Sequence, residues 1–352
     1  MPLLFSNLSP LKTDKKSYAD IFRRLIEKSQ SANIATGYIS TDSLVDLKNI
    51  VEANGGPTID LCVGMHYFEG LTLSQKDALV SLNDFLIGNN LGLVHMVVTF
   101  PFHGKIASFS EGDKIIGSII GSSNLSNILD NQRQYEADFL LESESSQIEL
   151  REFFDRLISV SSKPLNEIAN IRIIEPKNDL LNDQVGVTQM SQDALLSAKS
   201  DLSDISFDIP LKGDGSQKSG LNASFGEGRK NQQGYIVPRS WYEVELIVPK
   251  AITGLENYPK ASSTSDDGSF DVITDDGWEF RCKVSGDYSK NFRSENDLKI
   301  LGRWMKGRLE NAGVLKPGSR VTDDALQKYG RTSLTITKLK HNNKWLIDFG
   351  AN

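Results

Sequence analysis

Apolar positions in the first 100 residues alternate between two spacings. Residues 18–30 place Ile21, Phe22, Leu25 and Ile26 on one helical face, and residues 32–39 form an apolar run that is typical of a strand. The alternation continues along the chain, with further helices predicted at 44–50 and 78–87 and further strands at 59–65 and 91–100. Strands that alternate with helices of this length predict a mixed or parallel sheet with helices on its faces.

From residue 105 onward the spacing changes to that of consecutive strands. Strands are predicted at 105–109, 114–120 and 135–141, followed by a closing helix whose buried stripe includes Phe153, Phe154 and Leu157. The segment 177–218 is rich in Asp, Ser, Asn, Gly and Lys without a sustained period, which is typical of a linker. We therefore predict a first domain over residues 1–176, a weakly ordered linker over 177–218 and a second domain over 219–352.

The second half of the chain is predicted to be mainly β. Alternating apolar residues at 242–248 indicate a strand, and residues 270–274 and 278–284 form a hairpin with one buried face. Helices are predicted at 294–313 and 322–329, before two last strands. All four tryptophans lie in this half at core-like positions. Together these elements predict a small barrel with short helices.

Charge is distributed unevenly between the two halves. Residues 1–176 carry 22 acidic and 15 basic residues, whereas residues 219–352 carry 17 acidic and 20 basic residues. The net charge of −7 argues against a protein that coats nucleic acid without specificity, but it leaves room for a local basic face. Only the second half has the composition for such a face.

Cysteine usage and the first residues indicate the compartment. Cys62 and Cys282 are the only cysteines, and each lies in a strand-like apolar run of a different half, so buried free thiols are predicted rather than a disulfide. The first residues lack the basic start and apolar core of a signal peptide, and no apolar run approaches about 18 residues. We therefore predict a soluble protein in the reducing cytoplasm.

Metal ligation is not indicated by the sequence. No spacing of His, Cys, Asp or Glu resembles a divalent-metal site, so no cofactor is expected. His66 and His95 lie in or beside apolar runs, where a partly buried structural histidine is the favoured interpretation. His341 is predicted at the tip of a hairpin.

The densest cluster of reactive residue types follows the predicted strand that ends at Pro101. His103 and Lys105 stand two residues apart at the start of a strand, so their side chains share one face of the sheet. An imidazole beside an ammonium suits a phosphodiester, because Lys105 can neutralise a nonbridging oxygen while a neutral His103 attacks phosphorus or protonates the leaving oxygen. Asn124, at the end of the Gly-Ser-Ser-Asn turn, can hold both the oxygens and the ring.

Each of these residues also has a plainer interpretation. A bare His-x-Lys pair is common on protein surfaces, and Glu136 can be a charge at a strand edge. The turn at the expected distance favours catalysis for His103 and Lys105. For Ser122 the catalytic interpretation and that of an ordinary turn residue both stay open. The work proposed for Glu136 is to orient a histidine through a hydrogen bond.

These residues resemble the signature of the phospholipase D superfamily, which is His-x-Lys followed by a Gly-Ser-x-Asn turn and a later Glu. The matching positions are His103, Lys105, Ser122, Asn124 and Glu136. Phe109 stands where an Asp usually follows the signature Lys by four residues, a departure that points away from lipid-cleaving members and is tolerated in nucleases. With its second half included, the chain resembles the NgoFVII/NgoAVII and BfiI group of restriction endonucleases, in which a B3-like domain recognises DNA.

The resemblance implies an α/β phospholipase D-like domain with a mixed sheet and a mainly β B3-like pseudo-barrel with short helices. It implies metal-independent, site-specific cleavage of double-stranded DNA through a covalent phosphohistidine at His103. Most superfamily members carry two His-x-Lys motifs, so a chain with one implies a homodimer with a shared site. Some members act with a separate helicase-type ATPase. The alternatives are a phospholipase D-type lipid phosphodiesterase and a noncatalytic, sequence-specific DNA-binding protein.

Two polar stretches in the second half are candidates for contacts with DNA. Arg reads guanine, Asn and Gln read adenine, and Lys, Ser and Tyr contact phosphate. The plainer interpretation of each stretch is a solvated loop, but two such loops in a B3-like frame favour binding. The first stretch contributes Arg229, Lys230, Asn231, Gln232, Gln233 and Arg239, and the second contributes Tyr288, Ser289, Lys290, Asn291 and Arg293.

Overall fold

The structure is a computed structural model, and it forms two compact units. The described residues are 2–8, 10–128, 134–174, 180–182, 184–213, 220–226, 228–230, 234–261, 268–295 and 297–351. The first unit comprises Met1–Pro176 and Gly228–Pro238. The second unit comprises Lys177–Glu227 and Arg239–Asn352.

The first unit is an α/β fold. Its strands up to residue 176 are β1 (Leu3–Phe5), β2 (Ser31–Thr36), β3 (Thr58–Val63), β4 (Gly92–Val97), β5 (Ile106–Glu111), β6 (Lys114–Gly121), β7 (Ala137–Leu141) and β8 (Ser162–Pro164). Its helices are α1 (Tyr18–Ile26), α2 (Thr41–Asn54), α3 (His66–Glu69), α4 (Leu73–Gly88) and α5 (Glu144–Arg156). A π-helical segment, Leu157–Ser161, continues α5.

These strands form one mixed sheet in the order β1-β7-β6-β5-β2-β3-β4-β8. β2, β3 and β4 are parallel, because α2 and α4 carry the chain back between them, and the other pairs are antiparallel. On β5, Ile106 packs in a cluster with Phe154 of α5, whereas the ring of Phe109 meets the ring of Phe22 on α1 at 5.2 Å. Helices therefore cover both faces, which confirms the predicted mixed sheet.

The remaining elements continue the numbering along the chain. The strands are β9 (Thr188–Gln189), β10 (Leu202–Pro210), β11 (Arg229–Lys230), β12 (Ile236–Val237), β13 (Leu246–Ile247), β14 (Ser269–Thr274), β15 (Trp278–Ser285), β16 (Asn291–Ser294), β17 (Ser333–Leu339) and β18 (Trp345–Asp348). The helices are α6 (Gln192–Ser200), α7 (Lys250–Thr253), α8 (Lys299–Asn311) and α9 (Asp323–Tyr329).

The second unit is built on a curled sheet in the order β10-β17-β18-β14-β15-β16-β13, with β9 paired to β15. The β14 and β18 pair is parallel, and the predicted hairpin of β14 and β15 is present. All four tryptophans are buried, as predicted. Cys62 in the first unit and Cys282 in the second are buried free thiols, which also confirms the prediction.

The prediction of a weakly ordered linker over residues 177–218 is wrong for residues 192–210. This segment forms α6 and β10, and β10 pairs with β17 from Ser206↔Thr337 to Pro210↔Ser333. Phe207 and Ile209 are buried, whereas Ser206, Asp208 and Pro210 are exposed. This alternation is typical of a strand with one solvated face, but it is short and lies in a segment that is otherwise rich in polar residues.

A second correction concerns residues 228–238, which were predicted to lie in the second domain. β11 and β12 form a two-stranded hairpin that belongs to the first unit. The Asn54 side chain, at the end of α2, donates to the carbonyl of Ile236 at 3.0 Å and accepts from its N–H at 3.1 Å. Because one amide satisfies both backbone groups of Ile236, the hairpin is fixed on α2.

Three helices of the first unit begin at polar caps. Ser17 caps α1, Ser40 caps α2 and Thr72 caps α4, each by accepting a backbone N–H of the first turn. Within the described ranges, none of the helices combines the length and apolar composition that crossing a bilayer requires.

Candidate active site

Four chain segments meet at one edge of the mixed sheet. β5 runs antiparallel to its two neighbours, with Ile106 opposite Ala35 on β2 and opposite Ile120 on β6. The amino end of β5 therefore lies beside the carboxyl ends of β2 and β6. β7 begins at the same edge, since Asp138 lies opposite Gly121. The topology thus brings together the residues before β5, after β2, after β6 and before β7.

His103 and Lys105 lie just before β5 and contact each other. The Lys105 Nζ lies 3.2 Å from Nδ1 and 3.1 Å from Nε2 of His103, and it donates to the His103 carbonyl at 2.6 Å. An Nζ that lay in the plane of the ring at these distances from both nitrogens would overlap a ring carbon. The ammonium of Lys105 therefore lies over the face of the imidazole. The in-plane lone pair of the ring nitrogens is therefore not used by Lys105.

The two side chains differ in exposure. His103 is exposed, whereas Lys105 is 8% exposed. Burial lowers the pKa of Lys105, and the negative charge of Glu136 opposes that shift. A partly desolvated ammonium attracts an anion more strongly than a fully hydrated one. The pair thus presents an accessible imidazole beside a cation suited to a phosphate oxygen.

Ser122 and Glu136 form a second pair at the same edge. The Ser122 hydroxyl donates to Oε2 of Glu136 and accepts the N–H of Ala137 at 3.0 Å. The Glu136 N–H in turn donates to the Ser6 hydroxyl at 2.7 Å. The hydrogen bond that we expected from Glu136 to a histidine is not formed among the described residues. Glu136 instead acts on Lys105 through its charge and on the turn through Ser122.

Asn124 is oriented by the segment that follows β2. Its Oδ1 accepts the N–H of Tyr38 at 3.1 Å and lies 3.3 Å from the Thr36 hydroxyl. With the oxygen engaged in this way, the Asn124 amide NH₂ has no partner among the described residues. It is a donor available to an anionic ligand.

Three residues that the sequence analysis missed shape the site. Asp138, 1% exposed, accepts the N–H of Ser123 at 2.9 Å and its hydroxyl at 2.6 Å, and burial raises the pKa of this carboxyl. It fixes the turn that carries Asn124. Gly37 lies against His103, since a Cβ there would stand 3.0 Å from the histidine Cδ2. Tyr38 packs its ring on His103. In the sequence, Gly37 and Tyr38 lie near the end of the predicted strand 32–39 and Asp138 lies within the predicted strand 135–141, and no other signal marks them.

The position of the usual superfamily Asp is occupied by a core residue. Phe109 is fully buried in β5 and packs edge-to-face on Phe22. A carboxylate there would be buried in an apolar cluster away from the open edge of the sheet. The sequence departure is therefore structural and leaves the pair of His103 and Lys105 intact.

The other histidines of the first unit, His66 and His95, are buried. His66 is buried, its Nε2 accepts the N–H of Ile39 at 3.2 Å and its Nδ1 therefore donates to the carbonyl of Gly70 at 2.9 Å. Burial lowers the pKa of His66 and of His95. Across the described ranges, no three His, Cys, Asp or Glu side chains come close enough to share a metal ion.

The second polar stretch forms the turn before β16 and part of that strand in the second unit. Tyr288 is 70% exposed, and the Lys250 Nζ lies 4.5 Å from its ring centroid. Ser289 is 6% exposed, and its hydroxyl accepts the N–H of Ala261 at 2.9 Å. This burial contradicts the expected contact of the Ser289 side chain with DNA. Tyr288 and Ser289 have φ values of 60° and 56°, a conformation uncommon for such residues.

The remaining candidates of that stretch are held by acidic side chains. Lys290 lies 3.7 Å from Asp287. The Asn291 amide donates to Glu245 at 3.1 Å, and the Arg293 Nε lies 3.9 Å from the same carboxylate. Glu245 therefore positions two of the side chains that the sequence analysis assigned to DNA.

The first polar stretch lies on the hairpin of the first unit and just after it. Arg229 and Lys230 are exposed on β11. Arg239 pairs with Glu243 at 2.8 Å in the second unit. Asn231, Gln232 and Gln233 lie outside the described residues. This stretch is thus divided between the two units, whereas the sequence analysis treated it as one loop.

Comparison with protein families gives two matches, one in each half of the chain. Residues 16–170 match the model of the NgoFVII restriction endonuclease N-terminal PLD domain. Residues 197–340 match the model of the NgoFVII C-terminal B3-like DNA-binding domain. No curated protein matches the chain.

Several solved structures are similar to part of the chain. Nuc from Salmonella typhimurium, a phospholipase D family member, is 10% identical with a TM-score of 0.34, and the match covers 46% of this chain and 95% of Nuc. NucT from Helicobacter pylori is 14% identical with a TM-score of 0.31, covering 42% and 89%. Polyphosphate kinase from Porphyromonas gingivalis is 15% identical with a TM-score of 0.30, covering 45% and 23%. The two family models, and not these distant structures, show which family the chain belongs to.

Proposed function

Because the chain belongs to the NgoFVII family of restriction endonucleases, with a PLD domain followed by a B3-like DNA-binding domain, we propose that His103 and Lys105 carry its phosphodiester cleavage without a metal ion. The observation that supports this proposal is the Lys105 ammonium over the face of an exposed imidazole, 3.1 and 3.2 Å from its nitrogens. This geometry leaves a ring nitrogen ready to attack and a cation ready to hold phosphate.

The reaction proceeds in two displacements. A lone pair of His103 forms a bond to phosphorus while the bond to the leaving oxygen breaks and that oxygen takes a proton from a general acid. Lys105 and the Asn124 amide stabilise the charge on the nonbridging oxygens. Water then attacks the phosphohistidine, the P–N bond breaks, and the former acid takes the proton from water. The products are a phosphate monoester, an alcohol and the original imidazole.

The general acid is His103 of a second copy of the chain. One imidazole cannot attack phosphorus and protonate the leaving oxygen in the same step. His66, which also lies near this edge, has both ring nitrogens engaged by backbone groups. We therefore assign the enzyme to a homodimer in which two copies of the edge share one phosphate.

The B3-like domain selects the DNA site. Exposed Tyr288 and the side chains of Lys290, Asn291 and Arg293 are the contacts that we assign to the second unit, and exposed Arg229 and Lys230 are those that we assign to the hairpin of the first unit. Any requirement for ATP comes from a separate helicase-type ATPase. Buried free thiols support a reducing, cytoplasmic location.

The chemistry can be tested apart from site recognition with bis(p-nitrophenyl) phosphate, a small diester. The full-length enzyme should hydrolyse it in excess EDTA, and His103→Ala or Lys105→Met should lower the rate by at least about 10². His341→Ala, which removes another exposed imidazole, is the matched control and should have wild-type activity. An alkaline quench should retain phosphate on the protein, since a P–N bond resists base. Activity that disappears in EDTA and returns with magnesium would refute the proposal.

A further inference from the structure

The main chain around Tyr38 is fixed by side chains from several elements. The Tyr38 N–H donates to Asn124 at 3.1 Å, and its carbonyl accepts the Thr36 hydroxyl at 2.9 Å. The next residue, Ile39, donates its N–H to His66 at 3.2 Å and accepts the Gln75 amide at 3.0 Å. Four polar side chains on one short connection, between β2 and α2, are far more than a surface loop needs. These hydrogen bonds hold the connection at the point where it passes the site.

The Tyr38 side chain is held at its tip and on its ring. Its hydroxyl donates to the Glu69 carboxylate at 3.1 Å, and burial together with this bond raises the pKa of the phenol. The ring packs edge-to-face on His66 at 5.6 Å and on His103 at 5.4 Å, with interplanar angles of 86° and 76°. Aromatic pairs in this geometry are favourable. Tyr38 thus links a buried, immobile imidazole to the exposed one.

The exposed imidazole needs such a neighbour. Lys105 attracts the ring of His103 from its face, but a point charge over a face does not fix the rotation of the ring. The group that we expected to orient it, Glu136, bonds to Ser122 instead. Gly37 limits the ring on another side, because a Cβ at that position would stand 3.0 Å from Cδ2 of His103.

We propose that Tyr38, tethered by Glu69, is a positioning residue that sets the ring orientation of His103 for attack on phosphorus. By packing against the ring, Tyr38 performs the orienting role that a carboxylate performs by hydrogen bonding in other nucleophile–base–orienter arrangements. The inference rests on the proposed role of His103. Its consequence is that the Tyr38 ring contributes to turnover without touching the substrate, while the hydroxyl bond to Glu69 on α3 adds a smaller share.

The test compares Tyr38→Leu, Tyr38→Phe and Glu69→Gln in the full-length enzyme with bis(p-nitrophenyl) phosphate. An aromatic contact of about 0.5–1.5 kcal/mol corresponds to a 2- to 12-fold decrease in kcat for Tyr38→Leu, with KM unchanged. Tyr38→Phe keeps the ring and should restore most of this loss. Glu69→Gln keeps an acceptor for the phenol and should resemble wild type. Tyr67→Leu is the matched control, because Tyr67 is an exposed tyrosine on α3, the short helix that also carries Glu69.

A second readout separates failure of this inference from failure of the proposed function. NMR relaxation of the His103 Cε1–H group measures ring order without any substrate. Tyr38→Leu should increase the ring mobility, whereas Tyr38→Phe and Tyr67→Leu should not. Unchanged His103 order in Tyr38→Leu, or a kcat equal to that of Tyr67→Leu, would overturn the positioning role. If the wild-type enzyme were as inactive as His103→Ala, the proposed chemistry would be refuted. The relaxation measurement would then test by itself whether Tyr38 orients the His103 ring.

Discussion

Replacing Asn124 by Asp changes one functional group and almost no volume. The Asn124 Oδ1 accepts the N–H of Tyr38 and lies within reach of the Thr36 hydroxyl. An aspartate keeps an oxygen in that place, so both interactions persist. It replaces the NH₂ donor by a second oxygen that carries negative charge and faces the position that we propose for the phosphate. The substitution therefore separates the structural use of Asn124 from its use as a donor.

The expected magnitudes follow from that separation. Loss of one donor to a developing anion typically costs about 10²–10³ in kcat, and repulsion between the new carboxylate and the phosphate adds to this loss. The free energy of unfolding should stay within about 1 kcal/mol of wild type, because the hydrogen bonds to the loop remain. Asn124→Ala leaves the Tyr38 N–H without its acceptor, and it should lower stability by about 1–3 kcal/mol.

Two assays on the same preparations check these values. Urea unfolding gives the stability of wild type, Asn124→Asp and Asn124→Ala, and hydrolysis of bis(p-nitrophenyl) phosphate gives kcat. The reasoning is refuted if Asn124→Asp keeps more than about a tenth of wild-type kcat, given the expected loss of about 10²–10³. It is also refuted if Asn124→Asp is destabilised as much as Asn124→Ala, because the oxygen would then not be what holds the loop.

The other predictions concern assembly and recognition. A tag-separated mixed dimer of wild type and His103→Ala should be nearly inactive, since loss of a general acid alone costs about 10²–10⁴ in rate; retention of half the wild-type rate would show that each chain completes its own site. A fragment of residues 180–352 should fold and bind a specific duplex without cutting it. A shorter fragment of residues 219–352 lacks β10, the partner of β17, and its unfolding transition should be less cooperative for that reason. In the longer fragment, Lys290→Ala and Arg293→Ala should weaken binding, by about 1–3 kcal/mol where a base is read, and unchanged affinity in both would contradict that arm.

The sequence was informative where function depends on local order along the chain. His103 and Lys105 are two residues apart, and a strand that starts after them puts both at one edge whatever the rest of the fold does. The Gly-Ser-Ser-Asn turn likewise follows directly from the end of a strand. The alternation of helices and strands up to residue 100 was sufficient to predict the mixed sheet and its covering helices.

The partners of individual polar atoms were not predictable, because they join residues far apart in sequence. Glu136 bonds to Ser122 rather than to a histidine, and Ser289 turns its hydroxyl inward to the backbone of Ala261. The residues that neighbour each of these side chains in the sequence do not indicate which hydrogen-bond partner it has in the fold. Tyr38 shows the same limit, since its contact with His103 depends on how β2 and β5 are paired.

The hairpin on α2 has a consequence for the order in which the nuclease unit is synthesised. Residues 1–176 leave the ribosome first, and the hairpin that Asn54 holds ends only at Pro238. At about 5–20 residues per second, the last piece follows the main body by about 3–12 seconds. Throughout that interval the end of α2 is without its cover, open to chaperones and to other nascent chains. A nuclease unit that is truncated at residue 176 would lack the hairpin, and the end of α2 would stay uncovered.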